Sequence, residues 1–405
     1  MSKNETQYDV IVWGASGFTG RLVAEYLNNQ YGQSGDVRWA MGGRSESKLK
    51  AVAAEIGAEG VAIVTGDASD PASLRAIAAQ TKVICTTVGP YQLYGSEMVA
   101  ACVEAGTDYV DLCGEPNWMR QMIDQHHEKA RETGARIVHS CGFDSIPFDL
   151  GVFFLQQSAK EKFGVPCVEI KGRVKAIKGK ASGGTVASMI ATIEAGGKDP
   201  MVRKVMSNPY SLAPDESVKR PRQPDGRRPR YDHDARAWVA PFIMADINTR
   251  NVHRSNMLMN YAYGENFKYS EMMMTKSGIG ANVAAGGMGI FAAALMASPT
   301  RMLLKNFVLP KPGDGPNANE RETGFYDVRF FGKTEAGDVV RAKVTGDRDP
   351  GYGSTSKMLG ESAVVLAEDV SNEAVSGGVT TASASMGEVL IDRLKENAGL
   401  TFEIL

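Results

Sequence analysis

Short apolar runs alternate with stretches of helical periodicity over roughly the first 140 residues. Strand-like runs fall at 8–13, 37–41, 61–64, 82–86, 108–112 and 136–139, and helical spacing fills 18–29, 45–56, 70–79, 95–105 and 117–133. Gly106 and Gly134 stand just past two of these helices, where a left-handed cap ends a helix without strain. Strands separated by helices pair in parallel, and six of them fit the doubly wound order 3-2-1-4-5-6. The expected fold class is α/β: a doubly wound parallel sheet over residues 1–150, then a second, α+β domain over 151–350. In that second part 168–177, 269–275, 325–331 and 338–345 read as strands. Ser182-Gly183-Gly184-Thr185 opens a helix running to about Ala195. Residues 354–370 put Met358, Leu359, Ala363 and Leu366 on one helical face, and a helix at 383–397 leads to a short strand at 400–404.

Two segments break the pattern. Residues 208–234 are rich in Pro and Arg, with six cations between Lys219 and Arg230. They form either an exposed loop or a docking strip for an acidic carrier protein or lipid headgroup. Residues 279–297 carry no charge over 19 positions. As a helix they would span roughly 28 Å, close to a bilayer core, although Gly and Ala dominate. Contact with membrane or lipid, packing against a subunit or domain, and a lid are the three readings. Charge at Phe291 and Leu295 would separate them.

The chemistry is concentrated at strand ends. Asp9 to Trp13 runs into Gly14-Ala15-Ser16-Gly17-Phe18-Thr19-Gly20, and a helix follows with Leu22, Val23, Tyr26 and Leu27 at helical spacing. This G-x-x-G-x-x-G variant fits a dinucleotide turn. Gly14 makes the bend, Gly17 admits the pyrophosphate to backbone N–H groups, and Gly20 lets helix and sheet approach. The N-terminal half is therefore read as a Rossmann domain. Where NAD sites place an acid at the second strand end, this chain has Arg44, followed by Ser45 and Lys48. An arginine can fork onto a 2′-phosphate, so NADP is the expected cofactor, against a merely solvated loop arginine. Asp67 falls on the adenine side. Thr87, Val88, Gly89 and Pro90 follow the fourth strand, beside the nicotinamide half.

Composition narrows the classes. With 45 basic and 47 acidic residues the chain lacks the positive excess of a nucleic-acid-binding protein. Five cysteines without a C-x-x-C pair point to reduced, buried thiols and a cytoplasmic protein. Histidine spacing suggests no metal site. Residues 1–8 read as neither signal nor transit peptide.

Taken together, several segments resemble the saccharopine dehydrogenase-like oxidoreductases, and most closely the trans-acting enoyl reductases of mycobacterial lipid synthesis. They are GASGFTG (14–20), GGRS (42–45), TTVGPYQLYG (86–95), AGTDYVDLCGE (105–115), HSCGFDSIPFDLG (139–151), SGGTVAS (182–188), NPY (208–210), INTRNVHRSN (247–256) and DPGYGSTSKMLGES (349–362). The resemblance implies an NADP-type Rossmann domain, a second domain whose sheet helps form a homodimer, and a segment, 351–405, that returns to the first domain. Links of relatives to lipid droplets and membranes bear on 279–297. It also implies reduction of a carbon–carbon double bond in an acyl or polyketide-like lipid, free or carrier-bound. Alternatives are a saccharopine-type amino-acid dehydrogenase and a lipid-associated NADP-binding protein without turnover.

An enolate formed by hydride addition needs hydrogen-bond donors and a proton. Candidates are Tyr91, after a Gly-Pro turn; Asp144 and Ser145, after the sixth strand; and Tyr352, before a helix start. Tyr91 could instead be a packing aromatic, Asp144 a helix cap, and Tyr352 part of ordinary capping. An amino-acid substrate would need cations for its carboxylates, and Arg250 and Arg254 either serve that purpose or are structural.

Overall fold

The computed structural model describes residues 6–33, 35–179, 182–215, 217–307, 309 and 315–405, and two seven-stranded sheets organise them. The first is assembled from β1 (Tyr8–Trp13), β2 (Trp39–Gly43), β3 (Ala62–Thr65), β4 (Thr81–Thr86), β5 (Asp108–Val110) and β6 (Arg136–Val138). Its neighbours run 3-2-1-4-5-6, all parallel. Period-two alternation divides its side chains between two cores. Val10 and Val12 join Val83 and Cys85 on one face, and Ile11 and Trp13 join Ile84 on the other. Both faces are buried, so the strands read as continuous apolar runs.

The second sheet holds β7 (Glu169–Lys178), β8 (Arg230–Asp232), β9 (Ala237–Ala240), β10 (Lys268–Thr275), β11 (Phe325–Lys333) and β12 (Val339–Gly346). The helix Ile146–Phe163 joins the sheets and shares one hydrophobic core with both.

The C-terminal segment serves both sheets, a division the apolar pattern does not disclose. β13 (Gly378–Thr380) extends the first sheet beyond β6, while β14 (Leu400–Ile404) pairs with β12 in the second. The order of the second sheet is then β14-β12-β11-β7-β10-β9-β8, mixed in direction. Buried polar contacts hold the segment down. Glu361, fully buried in the helix Gly353–Val364, receives the Tyr26 hydroxyl at 2.6 Å and that of Tyr31 at 2.5 Å. Arg136 pairs with Asp108 inside the sheet and donates to the carbonyls of Leu366 and Val370.

Helix Ala245–Leu258 carries the INTRNVHRSN stretch and has no expected counterpart. Its buried positions are largely polar, among them Asn248, Asn251 and Ser255, so it lacks the apolar stripe that discloses a helix. The predicted helix at 354–370 ends its regular turns at Val364 and continues as a wider π-turn over Val365–Asp369. The described residues of the strip at 208–234 are largely loop and include β8. Arg220 donates to the carbonyls of Ala213 and Asp215, while Arg227 and Arg228 are exposed.

Candidate cofactor and active site

The turn after β1 has the shape a dinucleotide needs. Gly14 has φ +91°, a conformation that disfavours any Cβ, and Gly17 donates its N–H to the Gly14 carbonyl at 2.9 Å. A Cβ at Gly20 would lie 2.2 Å from the Gly14 oxygen, so only glycine lets the helix Phe18–Tyr31 pass this close. Gly17 caps that helix with no side-chain hydrogen bond, leaving the first turn's N–H groups for an anion. Ala15, Ser16, Phe18 and Thr19 complete this cradle. Thr87 and Val88 close over it, with the Thr87 hydroxyl 3.5 Å from the Gly14 oxygen, and Gly89 and Pro90 continue toward Tyr91. The residues present thus fit a bound NADP.

At the next strand end, Arg44 is exposed and Ser45 caps helix Glu46–Glu55, accepting from the Lys48 N–H at 3.4 Å. Lys48 is exposed one turn on. Asp67 lies on the same rim. The Ser69 N–H and hydroxyl hold its carboxyl below the usual range, with a contribution from Arg44. Arg44→Asp is expected to weaken NADPH by about 10- to 150-fold, the range of a charge-assisted hydrogen bond, and to leave NADH nearly unchanged. Equal affinity of the native protein for the two would oppose this assignment.

The second domain closes the cleft with the helix Gly183–Lys198. Its Ser188 hydroxyl donates to Glu115 at 2.6 Å, and Glu115 also accepts the N–H groups of Tyr91 and Gln92. Burial raises the Glu115 pKa against those bonds. Gln92 and Asn117 reach Thr192 one turn further along. Tyr352 sets its ring edge-on to Phe18, centroids 4.9 Å apart, and its hydroxyl accepts the Gly183 N–H at 3.2 Å. The Thr355 hydroxyl accepts from the Phe143 N–H at 3.0 Å. Four segments far apart in sequence therefore meet over the C-terminal edge of the first sheet.

This geometry sorts the proton-donor candidates. Tyr91 is buried and stacks on Trp118. Its hydroxyl donates to the Thr86 carbonyl and accepts from the Leu112 N–H, so it braces the strand ends rather than presenting a proton. Burial pushes its pKa well up. Ser145 is likewise engaged. It accepts from Asn251 Nδ2 at 2.6 Å and lies 3.4 Å from Asn248 Oδ1. Tyr352 is a buried joint between the domains. Asp144 differs from all three. It is half-buried, and its carboxyl makes no hydrogen bond or ion pair among the described residues; burial raises its pKa to about 6. Nor does it cap a helix: Ser145 is the cap residue of Ile146–Phe163, without a side-chain bond.

Arg250 and Arg254 are structural. Arg254, 1% exposed, bonds the carbonyls of Leu212 and Val379, and Arg250 bonds those of Asp246 and Met206. Glu115 and Ser188 are visible in the sequence only as parts of motifs; no local signal marks them as partners.

Residues 10–138 match the model of the saccharopine dehydrogenase NADP-binding domain. Over 408 residues the chain is 42% identical to a Mycobacterium tuberculosis protein provisionally named trans-acting enoyl reductase, covering 97% of each. It is 38% identical over 417 residues to a trans-acting enoyl reductase of Mycobacterium ulcerans, covering 98% of this chain and 97% of that one. In fold it is similar to apo saccharopine dehydrogenase (L-Glu forming) of Saccharomyces cerevisiae. That match has TM-score 0.57 and 10% identity, covering 98% of this chain and 100% of the other.

Proposed function

Because the chain belongs to the trans-acting enoyl reductases among the saccharopine dehydrogenase-like oxidoreductases, we propose that it reduces the carbon–carbon double bond of an acyl or polyketide-like thioester, delivered free or on a carrier. It is an NADP-dependent oxidoreductase. When bound, NADPH supplies a hydride to the β-carbon of the substrate. The double-bond electron pair then moves onto the thioester oxygen, and the α-carbon takes up a proton. In this reading Asp144 gives that proton, Glu115 and Tyr91 hold the β4 and β5 ends in register, and the helix Gly183–Lys198 excludes water. The observation that carries it is the desolvated Asp144 carboxyl, without a hydrogen bond or ion pair among the described residues, in the turn that follows β6. The amino-acid alternative loses its carboxylate-binding cations, since Arg250 and Arg254 are committed to backbone carbonyls. NADPH oxidation with 2-enoyl thioesters of increasing length tests the proposal. Turnover of saccharopine-like secondary amines, and not of enoyl thioesters, would overturn it.

The helix Gly278–Met296 supports a lipid contact near this site. Only Ala281 and Leu295 are buried in it, and Ile279 and Ile290 are 80% and 74% exposed. No Asp or Glu occurs between 278 and 307. Leu295 and Phe291 turn inward onto Val186 and Ile190 of the cleft helix, so they are the wrong residues for a surface test. Native protein is expected to float with anionic liposomes, and Ile279→Asp with Ile290→Asp to sink while staying folded. A native protein that never floats, with a variant that changes from homodimer to monomer, would make the face a subunit contact instead. All five cysteines are free and buried, which fits a reducing, cytoplasmic setting.

A further inference from the structure

Phe18 begins the cofactor helix directly after its cap, Gly17. Residues from beyond the first domain enclose its ring: Tyr352 of the returning segment meets it edge-on, and the guanidinium carbon of Arg321, from the second domain, lies 5.9 Å from its centroid. Arg21 lies 5.3 Å from the same ring but is paired with Glu55. Arg321 belongs to the short helix Ala318–Glu322, which a capping box at Asn317 and Glu320 starts. Its carbonyl accepts the Asp349 N–H at 2.9 Å, which ties it to the loop bearing Tyr352. Its Nη1 donates to the Pro316 carbonyl at 2.9 Å and so fixes the head of the side chain near Phe18. Among the described residues Arg321 forms no ion pair. The Asp349 carboxylate, which feels its charge, is itself engaged by the N–H groups of Gly351 and Gly353.

We propose that Arg321 is a cofactor ligand supplied by the second domain, its guanidinium meeting the pyrophosphate of NADP at the Phe18 end of the cofactor helix. A helix N-terminus contributes only about half a unit of positive charge, and a pyrophosphate carries more than that. A fixed guanidinium fork provides the remainder with directional hydrogen bonds. Since Arg321 lies outside the Rossmann domain, dinucleotide affinity then depends on the docking of the two domains. The inference rests on the glycine cradle being the NADP site, and the probes below separate a failure of that reading from a failure of this one.

Binding of NADPH, NADH and adenosine 2′-monophosphate, which lacks the pyrophosphate, is measured on native protein, Arg321→Gln, Arg321→Lys and Arg44→Asp. Arg321→Gln is expected to weaken NADPH and NADH equally, by about tenfold or more, and to leave adenosine 2′-monophosphate unchanged. Arg321→Lys should recover part of the loss. Arg44→Asp should give the converse pattern, weakening NADPH and adenosine 2′-monophosphate but not NADH. Native affinity for both dinucleotides in Arg321→Gln overturns the proposal. So does an equal loss for all three ligands with a lowered melting temperature, which would assign Arg321 to packing. Failure of native protein to bind NADPH would overturn the cofactor reading on which the proposal rests.

Discussion

Gly20→Ala is expected to reduce NADPH affinity by more than about 100-fold in a protein that still folds. The added Cβ would lie 2.2 Å from the Gly14 oxygen, 2.7 Å from its carbonyl carbon and 2.8 Å from Thr87 Oγ1. Two of these atoms are backbone, pinned because the Gly14 and Ala15 N–H groups donate to the Gly42 carbonyl. The cofactor helix must therefore withdraw from the turn by about 1 Å, taking its N–H groups away from the pyrophosphate. Overpacking of this kind costs about 1–3 kcal/mol of stability, partly offset by the roughly 1 kcal/mol gain of Gly→Ala inside a helix. The core elsewhere is untouched. Gly17→Ala is the comparison, since its Cβ would stand 3.3 Å from the same oxygen and a small shift relieves it. Cofactor titration and thermal melts of both variants check this. Native affinity in Gly20→Ala would contradict the cradle geometry.

What could be read in advance follows from how local each signal is. The glycine turn and the parallel order were legible because each is written in a few consecutive residues at or beside a strand. The site's closure was not. The Ser188–Glu115 bond joins residues 73 positions apart, and no periodicity links them. β13 has three residues, too few to show alternation. Tyr91 does lie at the end of β4, as its place in the sequence implies. Spacing cannot say which way a hydroxyl turns, and here it turns back to Thr86 and Leu112. Leu295 shows the same limit on the apolar helix: composition marks the segment, while only packing tells its buried side from its exposed one.

Asp144→Asn is expected to lower turnover by about 10²–10⁴-fold, the usual contribution of a positioned general acid, and to leave NADPH affinity intact. The pH dependence separates this role from a structural one. Burial raises the Asp144 pKa from 3.8 to about 6. The acid form gives the proton, so native turnover should fall as pH rises through about 6, tenfold per unit once the group is ionised. The amide introduced by Asp144→Asn cannot ionise, and that limb should vanish from the residual rate. Stability should move in the opposite sense. A carboxyl with a raised folded pKa costs nothing below its unfolded pKa, and the penalty grows until pH passes the folded value. Asp144→Asn should therefore melt higher than the native protein at pH 7 and the same below about pH 4. A more stable, correctly folded and nearly inactive variant is the signature of a group kept desolvated for catalysis at a cost in stability. Full turnover in Asp144→Asn would move the proton's source to solvent or substrate and remove Asp144 from the reaction.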